Sequence, residues 1–401
     1  MPEAVIVATG RTPIGRAIKG SLKDCRPDDL AAFIIKEVLA KLPQLDPQSV
    51  EDVILGCGQP GGEAGYNVAR VAALLAGLPD VPGVTVNRYC SSSLQSIRMA
   101  AHAIRAGEGD VFVAAGVEAV SSYRNGAADT GPHNPLFADA EARTLGRSTA
   151  AGEPWAPQPG LPDVYIAMGQ TAENVAEFKQ VSREAQDEFA LESQKRAVAA
   201  QESGFFDREI IPVTTPDGTV VSKDDGPRAG TTLEGLAGLQ PVFREGGTIT
   251  AGNACPLNDG AAAVVVMSDT RARELGITPL ARVVASGVTG LNPEIMGLGP
   301  VEAIKQTLAR AKMTIGDIDL VEINEAFAAQ VVPSADELGI SRDKLNVRGG
   351  AIALGHPFGQ TGARIMTTLL NALEDTDKTF GLESMCVGGG QGMAMVVERL
   401  N

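Results

Sequence analysis

Cys90 stands where a short apolar strand gives way to a helix, in the segment VNRYCSSSLQSIRMA at 86–100. Leu94, Ile97 and Ala101 follow at helical spacing, so the cysteine precedes the first helical turn. The free N–H groups and the positive dipole end of a helix favour a thiolate over a thiol. We therefore treat Cys90 as a candidate nucleophile near neutral pH, with a buried structural thiol as the alternative.

His356 lies in a glycine-rich turn, within GGAIALGHPFGQTGAR at 349–364, ahead of another helical segment. Glycine and proline on both sides of it let a ligand approach closely. We predict that His356 is the base of the site, with a structural loop histidine as the alternative. The chain has 3 histidines, and we expect neither His102, on a helix surface, nor His133, in a Gly-Pro-rich loop, to be catalytic.

Two further segments place polar groups directly after predicted strands. Asn324 begins the segment NEAF at the carboxyl end of a strand, where the active sites of parallel α/β sheets gather. Its amide can orient a water or a carbonyl, or it can cap a helix. Cys386 precedes three glycines in MCVGGGQG. A second thiol beside a nucleophile can move protons, whereas a tight hairpin would leave it inert.

A glycine pattern after another predicted strand indicates a different chemistry at first sight. Gly56 to Gly61 satisfies G-x-G-x-x-G, which is typical of dinucleotide sites. Such a site also needs an acidic residue at the end of the next strand, but here that strand ends in Asn87 and Arg88. We therefore predict a glycine-rich turn that leads into a helix over 67–76.

Short β-branched apolar runs alternate with helical patterns, which predicts an α/β fold with largely buried strands. The predicted strands are 4–8, 52–55, 83–86, 110–116, 262–267, 281–287, 319–323 and 393–397. The predicted helices include 28–41, 171–201 and 301–312.

An internal repeat constrains the architecture further. The stretch AVIVATGRTP at 4–13 aligns with ARVVASGVTG at 281–290, and later elements repeat in the same order, with the Cys90 turn matching the His356 turn. We predict two similar halves. The predicted organisation is an N-terminal half over 1–118 plus 251–272, an inserted loop domain over 119–250 that covers the substrate, and a C-terminal half over 273–401.

Composition excludes several classes of protein. The 401 residues carry 34 Lys and Arg against 49 Asp and Glu, a net charge of −15, which argues against binding to duplex nucleic acid. The 5 cysteines are widely spaced, which fits neither a disulfide framework nor a zinc site. Neither a signal peptide, nor a long apolar span, nor a peroxisomal C-terminal signal is evident, so we expect a cytoplasmic protein without membrane insertion.

Taken together and in this order, these segments resemble the thiolase family over essentially the whole chain. The resemblance rests on the motifs around Cys90, on NEAF, GHP and C-x-G, and on MGQTAENVA at 168–176 and TAGNACPLNDGAAA at 250–263. It implies a five-layer α-β-α-β-α core of two duplicated halves with an inserted loop domain. It also implies a homodimer or homotetramer.

The resemblance further implies a reaction. Cys90 would attack the 3-keto carbon of a 3-ketoacyl-CoA, with His356 activating it, and Cys386 would protonate the acetyl-CoA enolate that leaves. His356 and a water on Asn324 would stabilise the enolate oxygen, while the N–H groups of Cys90 and Gly388 would serve acyl transfer. The partners would be 3-ketoacyl-CoA, acetyl-CoA and coenzyme A as co-substrate, without a metal or bound cofactor.

Carried over in the same way, Met168, Met296 and Phe327 would line the acyl and pantetheine region, and Arg228 would contact CoA. The chain departs from many relatives at two CoA-contacting serines, because Cys255 precedes Pro256 where Ser precedes Gly, and Gly235 replaces the other.

The Pro-rich stretch 128–163 departs most; if it shapes the acyl pocket, we expect a substrate other than the simplest one. A degradative 3-ketoacyl-CoA thiolase is favoured over a biosynthetic acetoacetyl-CoA thiolase. A decarboxylating or synthase-type condensing enzyme and a non-catalytic acyl-CoA carrier are more remote alternatives.

Overall fold

The structure is a computed structural model that describes residues 2–123, 131–148 and 154–401. Its strands are β1 Ala4–Arg11, β2 Gly15–Arg16, β3 Asp52–Gly56, β4 Gly83–Val86, β5 Val111–Ala119, β6 Val213–Thr214, β7 Val220–Val221, β8 Asn258–Ser268, β9 Ala281–Gly290, β10 Leu320–Ile323, β11 Phe380–Val387 and β12 Gln391–Arg399. Its α-helices are α1 Pro27–Ala40, α2 Val68–Leu75, α3 Ser92–Ala106, α4 Ala138–Ser148, α5 Met168–Phe178, α6 Arg183–Glu202, α7 Leu233–Ala237, α8 Asp269–Glu274, α9 Gly299–Ala311, α10 Ala328–Leu338, α11 Ala351–Leu354 and α12 Thr361–Asp375. All eight strands predicted from the apolar runs are present.

The main sheet repeats one strand order twice. In the first half the order is β4-β3-β5-β8-β1, and in the second it is β10-β11-β12-β9 with a parallel bridge from Val321 to Leu345 in place of the missing edge strand. In the first half β3 and β5 are parallel, and β8 and β1 each run antiparallel to the strand before them in this order. In the second half β10 and β11 are parallel, and β12 and β9 each run antiparallel to the strand before them. A short antiparallel pairing of β1 with β9 joins the halves. The predicted duplication is therefore confirmed in the topology.

Alternating side chains divide the core into three apolar layers, because successive residues of a strand point to opposite faces. The first layer packs α1 and α2 on one sheet face through residues such as Val53, Leu55 and Val265. The central layer packs α3 and α12 between the two halves of the sheet, with Ile54, Leu94, Val264, Met366 and Met395 among its members. The third packs α9 and α10 on the outer face of the second half, through Ile304, Val321 and Val396 among others. This is the five-layer α-β-α-β-α arrangement.

The predicted helix over 171–201 was wrong, because two helices occupy that stretch. The helix α5 ends at Phe178, and Gln180 adopts a left-handed conformation with φ of 54°, which interrupts the helical backbone. Ser182 then caps α6, because its side chain accepts the N–H of Ala185 at 3.1 Å. The helix predicted over 67–76 is confirmed as α2.

The inserted region carries α4 to α7 and the small β6–β7 hairpin, between β5 and β8. A buried arginine on β1 holds part of this region to the core. The Arg11 guanidinium binds Glu209 through Nε at 2.8 Å and Asp224 through both Nη atoms at 2.7 and 2.9 Å. All three side chains are buried. Of the Pro-rich stretch 128–163, residues 128–130 and 149–153 lie outside the described residues.

We expect Arg11→Met to destabilise the protein, because it leaves two buried carboxylates without their cation. Breaking a buried ion pair in this way costs about 3–5 kcal/mol. The measurement is thermal unfolding followed by circular dichroism, with a Tm several degrees below that of the native chain. Arg273→Met is the matched control, because its pair with Asp269 is on the surface and the Arg273 side chain is 74% exposed. Equal Tm values for the two variants would contradict this account.

Candidate active site

Cys90 lies on a tight turn between β4 and α3. Tyr89 has a φ of 41°, a left-handed conformation that is unusual for a residue with a side chain. Ser92 fixes the turn, because its hydroxyl accepts the N–H of Arg88 at 2.9 Å and donates to the Tyr89 carbonyl at 2.6 Å. The strand and the helix thus place the thiol at the N-terminus of α3, with 8% of the residue exposed.

The electrostatic balance at Cys90 differs from the one expected from its position at a helix start. Burial raises the pKa of the thiol, and hydrogen bonds from the backbone N–H groups of Gly388 and of Cys90 itself act in the opposite direction. Burial dominates, and the pKa rises to about 11. The thiol form is therefore favoured in the free protein, and Cys90 acts as the predicted nucleophile only if a base removes its proton.

His356 is held as a neutral ring by its hydrogen bonds. The Thr361 hydroxyl donates to the Pro357 carbonyl at 2.7 Å, so it accepts the proton of His356 Nδ1, which lies 2.6 Å away. This leaves Nε2 unprotonated, with the Asn324 amide donating to it at 3.3 Å. Burial, and to a smaller extent the charge of Arg364, lowers the pKa of the imidazole to about 3. His356 therefore presents a free lone pair at neutral pH.

Asn324 and Cys386 complete the same buried site. Asn324 follows β10, is buried, and has a side-chain Oδ1 for which the described residues supply no partner. Cys386 lies near the end of β11 and is fully buried. Burial raises the pKa of Cys386 well above its ordinary value, with further contributions from Cys90 and Cys255. The structure thus brings three thiols together, of which sequence motifs singled out two as reactive.

Gln330 is a buried polar residue of this site that the motifs did not reveal. When its amide oxygen accepts the Val331 N–H at 3.0 Å, its nitrogen donates to the Asn324 carbonyl at 3.1 Å. In this orientation the amide nitrogen of Gln330 lies 3.4 Å from Cys386 Sγ. Its only signal in the sequence is a glutamine in an apolar helical stretch directly after NEAF.

Glu118 explains why the glycine pattern at 56–61 does not serve a nucleotide. The buried carboxylate accepts the backbone N–H groups of Gly58 at 2.7 Å, Gln59 at 3.1 Å and Gly359 at 2.8 Å. A dinucleotide phosphate would need N–H groups of this loop, but two of them already bind Glu118. Gly359 belongs to the turn that carries His356, so one carboxylate holds both loops.

A cavity of about 450 Å³ opens onto Cys90 and Gly388. Met168, predicted to line the acyl and pantetheine region, also borders it. Met296 and Phe327 do not border this cavity but are buried in a cluster with Cys386, against which Met168 and Cys255 pack. His133, expected to be an ordinary loop residue, is part of the cavity wall.

Arg228 lies elsewhere, in a second cavity of about 150 Å³ bordered by Pro256 and Asn258. The side chain of Asn258 accepts the His356 backbone N–H at 3.0 Å, so a residue on the wall of this cavity contacts the His356 turn. Gly235 is outside the wall of this cavity. Its N–H donates to the Thr232 hydroxyl at 3.1 Å at the start of α7.

No described helix is both long and apolar enough to cross a bilayer. In the same residues, no group of three or more His, Cys, Asp or Glu side chains is arranged to hold a metal ion.

Two family models cover nearly the whole sequence. Residues 4–270 match the N-terminal domain of thiolase and residues 277–399 match the C-terminal domain of thiolase. The chain belongs to the thiolase family. Thiolases are acyltransferases, so this thiolase is an enzyme of that class, and its substrates are CoA thioesters.

Relatives agree with this assignment over full length. This thiolase is 44% identical to the beta-ketoadipyl-CoA thiolase of Acinetobacter baylyi and 44% identical to the 3-ketoacyl-CoA thiolase of Aeromonas hydrophila, with 100% of each chain covered. The crystal structure of the Bacillus anthracis acetyl-CoA acetyltransferase superposes with a TM-score of 0.86 at 43% identity, covering 100% of this chain and 99% of that one.

We expect alkylation of Cys90 in the substrate-free thiolase to accelerate throughout the alkaline range. With a pKa of about 11, the reactive thiolate fraction increases about tenfold per pH unit below that value. The measurement is the rate of iodoacetamide labelling of the Cys90 peptide from about pH 7 to about pH 10, by mass spectrometry. A plateau below about pH 9 would contradict the dominant effect of burial. Cys90→Ala identifies labelling at other thiols.

Proposed function

We propose that this thiolase cleaves 3-ketoacyl-CoA with free CoA, giving acetyl-CoA and a shortened acyl-CoA through an acyl-enzyme on Cys90. The observation that carries the proposal is one buried site with two thiols, Cys90 and Cys386, and an unprotonated Nε2 on His356. The first thiol supplies a nucleophile, the histidine a base, and the second thiol an acid. Relatives that carry thiolase names over their full length support it.

In the first half of the reaction His356 Nε2 takes the proton of Cys90, and the sulfur attacks the 3-keto carbon. The N–H groups of Cys90 and Gly388, which already point at Sγ, stabilise the alkoxide that forms. The bond between C2 and C3 then breaks, and its electron pair leaves as the enolate of acetyl-CoA. Cys386 gives its proton to C2, and acetyl-CoA departs.

In the second half the Cys386 thiolate takes the proton of free CoA. The CoA thiolate attacks the acyl carbon, and Cys90 leaves and recovers its proton from His356.

The oxygen of the enolate formed in the first half is stabilised by His356 and by a water held on Asn324, whose side-chain Oδ1 is available for this. The second cavity, with Arg228 on its wall, is proposed as the approach for CoA.

Cleavage is favoured over the condensation of two acetyl-CoA because the Cys90 cavity is larger than an acetyl group requires. Thiolysis of acetoacetyl-CoA, a medium-chain 3-ketoacyl-CoA and a branched one, followed by loss of enolate absorbance, tests this. Turnover of acetoacetyl-CoA alone would instead support the biosynthetic alternative. A protein that binds acyl-CoA without acylating Cys90 would support the non-catalytic carrier.

A homodimer or homotetramer stays a prediction, to be tested by sedimentation.

Two substitutions separate the roles of the thiols. Cys90→Ala should abolish the acyl adduct that intact-mass spectrometry detects after addition of acetyl-CoA, and with it thiolysis. Cys386→Ala should still form that adduct, but lose the exchange of acetyl-CoA methyl hydrogens with deuterated water and lower kcat by about 10²–10⁴. Cys25→Ala, a change of a buried thiol in the outer apolar layer, is the matched control. Exchange that persists in Cys386→Ala would contradict its role as the acid.

A further inference from the structure

Gln330 lies against the sulfur of Cys386, the thiol that acts as the acid in the proposed mechanism. It belongs to the first turn of α10 and is fully buried. Cys386 lies on β11, and one end of the Gln330 amide is 3.4 Å from its Sγ, within reach of a hydrogen bond to sulfur. The two proton transfers of Cys386 do not by themselves account for a polar group at this place.

The neighbours of the Gln330 amide decide which of its ends faces Cys386. One neighbour is an acceptor, the Asn324 carbonyl at 3.1 Å, and the other is a donor, the Val331 N–H at 3.0 Å. The end beside the Asn324 carbonyl is also the end beside Cys386 Sγ. An oxygen at that end would face the carbonyl oxygen, and the amide nitrogen would face an N–H. The nitrogen therefore faces Cys386, because an NH₂ group has two hydrogens and can donate to the carbonyl and to the sulfur together.

Close packing holds Gln330 in this place. The start of α10 is fixed by the Ala328 N–H, which donates to the Asn253 carbonyl at 2.9 Å. On another side the 3₁₀ helix Pro293–Leu298 approaches the side chain so closely that a Cβ on Gly297 would lie 2.7 Å from the Gln330 Cβ. Glycine is required for that approach. The amide is therefore held at the thiol.

A thiolate at Cys386 is unfavourable without a donor. Cys386 packs in an apolar cluster with Met296 and Phe327. Burial, and then the thiols of Cys90 and Cys255, raise the pKa of Cys386 well above its ordinary value, while its own backbone N–H acts in the opposite direction. The proposed reaction nevertheless turns Cys386 into a thiolate. A hydrogen bond to an ionised acceptor is roughly twice as strong as one between neutral groups, so a donor at Sγ favours the thiolate over the thiol.

We propose that the Gln330 amide donates a hydrogen bond to Cys386 Sγ and stabilises the thiolate that forms when Cys386 protonates the enolate. This inference rests on the proposed function and adds a residue to its proton transfers. The thiolate keeps the hydrogen bond until it takes the proton of free CoA and becomes a thiol again. Because the amide presents N–H groups to the sulfur, the S–H of the resting thiol is not donated to Gln330 and is left for the substrate.

Gln330→Met tests the donor, because methionine has a similar length and lacks the amide. The variant should form the acetyl adduct on Cys90 as the native chain does. It should lower kcat for thiolysis, and the exchange of acetyl-CoA methyl hydrogens with deuterated water, about tenfold or more. KM should stay near the native value, since the hydrogen bond gains strength only when the thiolate forms.

Gln186→Met is the matched control. Gln186 is also fully buried, and its amide nitrogen donates to the Val181 carbonyl at 3.2 Å and to the Thr248 hydroxyl at 3.0 Å, in place of a thiol. The same substitution at this position should therefore keep the native kcat and the native exchange.

Neutron diffraction from crystals of the native chain tests the same contact without any variant. We expect a deuterium of the Gln330 amide to point at Cys386 Sγ. An amide oxygen at that position would overturn the inference.

The outcomes separate this inference from the proposed function. Absence of thiolysis of every 3-ketoacyl-CoA by the native chain would overturn the function, and the inference with it. Native kcat and native exchange in Gln330→Met would overturn the inference alone. Loss of the Cys90 adduct in Gln330→Met, together with a lower Tm, would give Gln330 a structural role only and would also overturn it.

Discussion

One buried carboxylate, that of Glu118, holds together the two loops on which the active site depends. It stands near the end of β5 in the first half and binds N–H groups on the loop after β3 and on the His356 turn of the second half. The approach is close, because a Cβ on Gly359 would lie 2.2 Å from the Val117 carbonyl and glycine is therefore required. The position of the histidine relative to the nucleophile thus depends on a contact between the two halves.

Burial is the second constraint, and it decides the resting protonation of the site. It raises the pKa of Cys90 to about 11 and lowers that of His356 to about 3, so both groups are neutral before substrate arrives. Burial thus disfavours an ion pair of thiolate and imidazolium. In the proposed mechanism, the donors at Sγ, the N–H groups of Cys90 and Gly388, stabilise the oxyanion that forms when sulfur attacks. The charges on sulfur and imidazole therefore form only during the proposed reaction and are absent from the resting site.

The sequence predicted those features that are local or repeated. Cys90 before an amphipathic helix, His356 in a glycine turn and Asn324 after a strand were each found from a few neighbouring residues, and the repeat of 4–13 at 281–290 predicted the two halves. Contacts between distant segments were not predictable in this way. Gln330 lies in an apolar stretch without a motif, and the separation of α5 from α6 depends on one left-handed residue, Gln180. The pKa of Cys90 depends on how deeply the rest of the fold buries the thiol. The residues around Cys90 in the sequence do not determine that burial.

The duplication explains why the two kinds of catalytic group meet. The Cys90 turn and the His356 turn precede corresponding helices, α3 and α12, which pack together in the central layer. A direct hydrogen bond joins their first turns, from the Ala363 N–H to the Ser93 hydroxyl at 2.9 Å. Two positive helix ends therefore lie side by side, where the proposed reaction would develop negative charge on sulfur and oxygen. In the proposed mechanism each half supplies different groups at this place: the first a nucleophile, beside its structural carboxylate, and the second a base and an acid at the end of β11.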